Sequence, residues 1–372
     1  MIKRSLTPVI LNQLFSGKTI ILFGARQVGK TTLLKELVKE SSDVIWLNGD
    51  NREDAELLNN LNLTRAKQIF PEGSLVIIDE AQRLDNTGLT LKIIHDNCEG
   101  VQLMATGSSS FELTDKIKES MTGRKWSYKL FPISFGEILE NTNYPELLRT
   151  LETRMVFGSY PDVLNRAGNE KQVLSELASD YLYKDVFALN YLRNSDALEK
   201  LVQALAFQVG NQVSFRELSK LVQIDKETVE KYIHLLEEAN IIFRLNSYSK
   251  NLRTELKRTR KIYFVDNGIR NAVINQFNPI GLRQDVGVLW ENLMISERMK
   301  YNEYNSLHCN CYFWRTNRQQ EVDYLEEYEG RLNAFELKWK SKPNAGFPKS
   351  FANAYPQAKT KIIDKDNFID FL

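Results

Sequence analysis

Gly24-Ala25-Arg26-Gln27-Val28-Gly29-Lys30-Thr31 fits the pattern Gly-x-x-x-x-Gly-Lys-Ser/Thr, and its flanks decide what the pattern means. The apolar run Thr19 to Phe23 reads as a strand leading into Gly24, and Lys30-Thr31-Thr32-Leu33-Leu34 opens a helical pattern. A glycine-bounded turn between a buried strand and a helix start aims backbone N–H groups and the positive end of the helix dipole at one place, the arrangement that holds phosphate. Lys30 is then positioned to reach the β and γ phosphates of a nucleotide, and Thr31 offers its hydroxyl to Mg²⁺. The expected nucleotide-binding set is Gly24, Ala25, Arg26, Gln27, Val28, Gly29, Lys30, Thr31 and Thr32.

Leu75-Val76-Ile77-Ile78-Asp79-Glu80 is an apolar run that ends in two carboxylates. In such a buried strand Asp79 is the second Mg²⁺ partner, and Glu80 is the base that orients or polarises the attacking water. Val44 to Leu47, Val101 to Gly107 and Lys125 to Leu130 read as further strands separated by helical patterns, which predicts a parallel α/β sheet over residues 1–135. These residues resemble the AAA-type ATPases. The resemblance implies a polar sensor at the end of the strand after Asp79-Glu80, assigned to Ser108 with Thr106 as the alternative. It also implies an arginine finger at Arg124, acting on a neighbouring subunit of a homo-oligomer. Gly158-Ser159-Tyr160-Pro161 looks like the Gly-x-Pro element of signalling ATPases, with one extra residue between Gly and Pro.

Downstream the period changes. Residues 136–194 carry apolar pairs at helical spacing and predict a helical subdomain. Residues 195–250 read helix, short helix, helix, strand, the order of a winged helix-turn-helix, with caps expected at Ser214 (with Glu217, a capping-box pattern) and Asp225 (with Thr228). The second of those later helices bears Lys226, Thr228, Glu230, Lys231 and His234 on its polar positions. Beyond it Lys250, Arg253, Lys257, Arg258, Arg260 and Lys261 form a basic run that suits the phosphates of DNA.

The remainder, 251–372 with a core at about 285–372, follows an αβββαβ order. Asp323 starts one strand, and Glu336 and Lys338 share a face of the next by alternation. A hairpin through Glu327 to Arg331 brings the three together, with Glu291 joining from the preceding helix. Carboxylates that hold one or two metal ions beside a lysine are the apparatus of phosphodiester hydrolysis. The constellation resembles the PD-(D/E)xK nuclease fold, although Glu321-Val322 stands before Asp323 where the family name has proline. The whole order, with Lys261-Ile262-Tyr263-Phe264-Val265-Asp266-Asn267-Gly268 and Phe347-Pro348-Lys349-Ser350-Phe351, is similar to a widespread bacterial and archaeal family of AAA-type ATP-binding proteins.

With 49 basic and 48 acidic residues in 372, no global field draws the chain to nucleic acid or membrane, so any such surface is local. Three cysteines, Cys98, Cys309 and Cys311, suit a reducing cytoplasm, and no run is long enough to span a membrane. Cys309 and Cys311 share a strand face but find only His308 nearby as a further ligand, which is too few for zinc. The expectation is Mg²⁺-dependent binding and hydrolysis of ATP, coupled to a DNA-directed, nuclease-like C-terminal domain. The alternative is an ATP-dependent conformational switch or signalling ATPase whose nuclease-like domain is a catalytically inactive binding module.

Overall fold

The computed structural model describes residues 2–107, 117, 119–181, 195–249, 260–340 and 346–372. The chain divides into two compact units, Met1–Ile133 with Glu238–Asn240, and Ser134–Glu237 with Ile241–Leu372. Among the described residues no helix is long and apolar enough to cross a membrane.

The first unit runs α1 (Leu6–Leu11), β1 (Thr19–Gly24), α2 (Lys30–Leu37), β2 (Val44–Asn48), α3 (Arg52–Asn59), α4 (Leu63–Ile69), β3 (Leu75–Asp79), α5 (Thr87–Asn97), β4 (Gln102–Gly107) and β5 (Lys125–Leu130). The five strands form one sheet in the order β2-β3-β4-β1-β5, every pair parallel, as the alternation of strands and helices predicted. Helices cover a parallel sheet on both faces, so its inner strands need apolar residues at every position rather than every second one. Accordingly all of β1, β3 and β4 is buried. β5 is one of the two edges, and its sequence Lys-Trp-Ser-Tyr-Lys-Leu leaves Trp126 exposed, with Lys18 Nζ 4.0 Å from its ring centroid. The C-terminal ends of β3, β4 and β1 lie side by side, so whatever follows Asp79, Thr106 and Gly24 shares one rim of the sheet.

The second unit opens with α6 (Phe135–Asn141), α7 (Tyr144–Phe157), α8 (Pro161–Asn165) and α9 (Glu170–Tyr181). A full capping box starts α6, where Ser134 N–H donates to Glu137 Oε2 (2.9 Å) and Glu137 N–H to Ser134 Oγ (3.1 Å). Next come α10 (Ser195–Phe207), β6 (Gln212–Val213), α11 (Phe215–Val222), α12 (Lys226–Glu238), β7 (Ile242–Ser247) and β8 (Arg260–Phe264). The expected caps are in place: Glu217 N–H donates to Ser214 Oγ (3.4 Å) and Thr228 N–H to Asp225 Oδ1 (2.8 Å). The chain ends with α13 (Asn267–Val273), α14 (Val286–Tyr304), β9 (Asn310–Arg315), β10 (Glu321–Tyr328), β11 (Arg331–Leu337), α15 (Lys349–Ala354) and β12 (Lys359–Ile363). From α14 onward this is the expected αβββαβ order. The turn of the β10–β11 hairpin is tighter than expected. Glu329 and Gly330 both have positive φ (50° and 73°) between the paired Tyr328 and Arg331, as a two-residue turn that matches strand twist requires.

One seven-stranded sheet, β12-β11-β10-β9-β7-β8-β6, runs through this unit. Among the described residues, β7 joins β9 in parallel through only Asn246↔Tyr312 and Ser247↔Phe313, extended by Tyr248 N–H to the Phe313 carbonyl at 2.7 Å.

Two sequence features read as signatures meet in a buried polar knot. Gly158 has φ +67°, and a Cβ there would overlap the Asp266 carboxylate. Asp266 accepts N–H bonds from Ser159 (2.8 Å), Gly268 (2.8 Å) and Ile269 (3.3 Å). The Asn267 amide donates to the carbonyls of Met155 and Leu289, both at 3.0 Å, and Asn271 to that of Val156 at 2.7 Å. The Gly158–Pro161 turn and the Asp266-Asn267-Gly268 stretch thus satisfy one another's backbone at the ends of α7 and α13.

Candidate nucleotide site and C-terminal acidic cluster

Gly24 ends β1 at a point where a Cβ would overlap the Leu130 carbonyl oxygen of β5, so only glycine lets the loop leave the sheet there. Gln27 (φ 59°) and Gly29 (φ 96°) take left-handed conformations that fold the loop over the start of α2. Ala25 and Val28 face the core, Arg26 is half-buried, and Gln27 and Thr32 are exposed. Lys30 is buried, and its Nζ donates to the Gly24 and Ala25 carbonyls at 2.9 and 3.0 Å.

From behind, Arg4 fixes the same loop by donating to the Val28 carbonyl at 2.7 Å and to the Phe131 carbonyl at 2.6 Å. Sequence reading passed over Arg4 because its partners lie far along the chain.

Asp79, at the end of β3, is buried and reaches both neighbours on the rim. Thr31 Oγ1 donates to its Oδ2 at 2.8 Å, and Thr106 Oγ1 donates to its Oδ1. Thr106 in turn accepts the Glu80 N–H at 3.0 Å. Glu80 holds a left-handed conformation (φ 52°, ψ 41°), and Gln82 Nε2 donates to its Oε2 at 2.6 Å. Thr31, Asp79, Glu80 and Thr106 therefore meet beside the phosphate loop. Ser108 lies outside the described residues.

Arg124 sits elsewhere. Its carbonyl accepts the Thr19 N–H at 2.9 Å, which places it at the opposite end of β1 from Gly24. A strand of this length spans ~20 Å, beyond the reach of one side chain. Its guanidinium pairs with Asp96 at 2.7 Å.

In the second unit, the hairpin brings Asp323 and Glu336 together. Lys338 Nζ lies 3.0 Å from Asp323 Oδ2 and 2.7 Å from Glu336 Oε2, and the Leu337 N–H donates to Asp323 at 2.8 Å. A one-residue bulge in β10 between Val322 and Leu325 re-aims Asp323 toward this pair. Glu291 reaches the same neighbourhood from α14, but through a residue that sequence reading placed elsewhere. Lys261 was expected in an exposed basic run, whereas its side chain is wholly buried. Its Nζ is 3.1 Å from Glu291 Oε1 and also pairs with Glu321, while Tyr263 OH donates to Glu291 at 2.7 Å. Arg315 holds Glu321 from the other side at 2.9 Å. β8 is flanked by β7 and β6, and its alternation turns Lys261 inward. Four carboxylates, Glu291, Glu321, Asp323 and Glu336, thus face three of the protein's own cations, Lys261, Arg315 and Lys338. Of the rest of the basic run, Lys250, Arg253, Lys257 and Arg258 lie outside the described residues, and Arg260 packs over the Phe215 ring and pairs loosely with Glu230 (3.9 Å).

Burial, and then the charge of Asp323, push the Glu336 carboxyl up to about 7 against the pull of Lys338. An unfolded glutamate ionises near 4.5, so between that pH and about 7 the folded state keeps a proton that the unfolded state has lost, and stability falls as pH rises through that window. Glu336→Gln is accordingly expected to raise unfolding free energy at pH 8, by up to about 3 kcal/mol, and by less than about 1 kcal/mol at pH 5. Urea unfolding at both pH values in the presence of a chelator checks this. A difference that does not depend on pH would count against the burial argument.

Residues 16–139 match the family described as AAA domain. Residues 148–280 and 286–369 match two families described as domains of unknown function, DUF8612 and DUF4143. An uncharacterized protein of Methanocaldococcus jannaschii is 26% identical over 340 residues, covering 84% of this chain and 73% of the relative. An uncharacterized protein of Mycobacterium tuberculosis is 25% identical over 336 residues, covering 89% and 72% respectively. Among solved structures, the Walker-type ATPase PABY2304 of Pyrococcus abyssi is similar with a TM-score of 0.51 at 17% identity, over 74% of this chain and 96% of that one, a likeness of fold. With their phosphate loop and their Asp79-Glu80 strand end, residues 16–139 of this chain form an AAA domain.

Proposed function

We propose that this chain hydrolyses ATP with Mg²⁺ at the rim formed by Thr31, Asp79, Glu80 and Thr106, and that the nucleotide cycle governs a DNA-directed, nuclease-like C-terminal region. The observation that carries the first half is the 2.8 Å bond from Thr31 to Asp79. It gathers a hydroxyl and a carboxylate, hard oxygen donors of the kind Mg²⁺ prefers, beside a phosphate-binding loop. Thr31 and Asp79 would hold the ion, which neutralises charge on the phosphates. Lys30 exchanges its two loop carbonyls for phosphate oxygens, and Glu80 takes a proton from the attacking water. Arg124, a strand's length from its own loop, would serve a neighbouring copy in a homo-oligomer.

For the second half, the support is the convergence of Asp323, Glu336 and Lys338, together with the exposed Lys226, Glu230, Lys231 and His234 face of α12, where a winged helix meets DNA. The four-part division expected from sequence, at 135, 194 and 250, is proposed with it. A second reading is favoured by Lys261: a cluster already balanced by the protein's own cations suits a binding module that responds to nucleotide without cutting. One comparison separates them. ATP turnover with and without DNA, in wild type and Lys30→Ala, is run beside DNA cleavage in Mg²⁺ or Mn²⁺ with Asp323→Ala as control. DNA-stimulated turnover with cleavage lost in Asp323→Ala supports the nuclease reading. Stimulated turnover over intact DNA selects the binding module, and absence of any turnover in wild type overturns the hydrolase.

A further inference from the structure

α14 and β10 carry a second chemical centre, about three helical turns from Glu291 and unlike the acidic cluster in kind. Cys311 on β9 pairs directly across the ladder with Glu326 on β10, and Cys309 precedes the same strand. The two sulfurs and a Glu326 oxygen all lie within 4.8 Å of one another. The sulfurs are 3.7 Å apart. That spacing is too long for a disulfide, whose sulfurs sit about 2.0 Å apart. It equals the edge of a tetrahedron around a metal with sulfur ligands at about 2.3 Å, which is about 3.8 Å.

A fourth group points into the same space. Asn302 on α14 is 6% exposed, and its Nδ2 lies 3.1 Å from Cys309 Sγ, 4.0 Å from Cys311 Sγ and 2.8 Å from Glu326 Oε1. Its Oδ1 is buried without a hydrogen-bond partner among the described residues. A half-turn of the amide would put the oxygen, a metal ligand, where the nitrogen now stands.

We propose that Cys309, Cys311, Glu326 and Asn302 form a closed, structural zinc site. The charge balance supports it. Arg298 is bidentate on Glu326 with both contacts at 2.7 Å, so carboxylate and guanidinium cancel while the thiols keep their protons. When Zn²⁺ enters, both thiol protons leave to solvent, and two thiolates, one carboxylate, one guanidinium and the ion again sum to zero, as a buried site requires. Tyr324 OH, 3.0 Å from both Cys311 Sγ and Glu326 Oε1, supplies the outer hydrogen bonds that steady such ligands. Four protein ligands leave no open position, so the ion does no chemistry of its own. It ties the C-terminal half of α14 to β9 and β10, and so fixes the rotation of the helix that carries Glu291.

The test uses the full chain, reduced, stripped with chelator and free of nucleotide. Titration with Co²⁺ is expected to give one equivalent of tetrahedral cobalt with thiolate charge-transfer bands, bleached by Zn²⁺. Those bands disappear in Cys309→Ser and Cys311→Ser, persist in Cys98→Ser, and in Arg298→Lys need roughly 10–100-fold more metal. Should the serine variants fold poorly, alkylation of wild type decides instead: Zn²⁺ protects Cys309 and Cys311, and chelator restores their labelling. Folded wild type that gives no thiolate–cobalt spectrum overturns the site. So does equal labelling with and without Zn²⁺, or a Cys309–Cys311 disulfide in the protein as isolated.

Discussion

In Glu80→Gln, ATP turnover is expected to fall about 10²- to 10⁴-fold, the usual contribution of a positioned general base. Nucleotide affinity stays within a few-fold of wild type. The split follows from where Glu80 stands. In the proposed mechanism the phosphate loop and the Thr31–Asp79 pair would do the holding, whereas Glu80 lies past the strand end. Its left-handed backbone, uncommon for a residue with a side chain, is enforced by the bond from its N–H to Thr106 and by the Asp79 carbonyl's bond to the Gly49 N–H at 2.8 Å. Gln82 steers the carboxylate from the side. Replacing one oxygen by NH₂ keeps shape and contacts but removes the proton acceptor. Lys30→Ala is the contrasting variant and should lose affinity itself. Steady-state turnover and equilibrium nucleotide binding on both variants check the claim. A Glu80→Gln protein that turns over ATP at more than about a tenth of the wild-type rate would remove Glu80 from the chemistry.

The second large effect concerns Lys261→Met. Taking away a wholly buried cation that pairs with Glu291 and Glu321 leaves carboxylates uncompensated, a loss of about 3–5 kcal/mol. Burial already pushes the Glu291 carboxyl up, and Lys261 is its main counterweight. Methionine fills the space of the stem, so the cost is electrostatic rather than a cavity. The vacated charge invites another cation. Millimolar Mg²⁺ or Mn²⁺ should recover part of the lost stability in the variant and do little for wild type. Urea unfolding with chelator and with each ion reads both effects. A loss below about 1 kcal/mol would mean that Arg315 and Lys338 suffice to balance the cluster.

What sequence reveals here follows the reach of each interaction. The phosphate loop is legible because its meaning is local: a strand before, a helix after, and glycines where the chain must turn. Asp79 and Glu80 are legible for the same reason, and so is the αβββαβ order. Lys261 reads wrongly because its direction is set by pairing with β6 and β7, and its partners Glu291 and Glu321 come from a helix and a strand further on. Beside other basic residues it looks like part of a surface. Arg4 gives no signal at all, since backbone carbonyls as partners have no residue type. Cys309 and Cys311 look short of ligands because Asn302 and Glu326 approach from α14 and from the far side of a bulged strand, and a single extra residue in β10 alters which side chains share a face.

The narrow seam between β7 and β9 bears on how this architecture can be taken apart. Two residue pairs hold four strands to three. A fragment cut before β9 would leave β7 as a raw edge, and one cut after β7 would do the same to β9, each offering unpaired N–H and C=O groups to another chain. The two halves of that sheet are therefore poor candidates for separate expression or for exchange between relatives. A swap that keeps both the seam and the Gly158–Asp266 knot whole moves α6 through β12 as a single cassette.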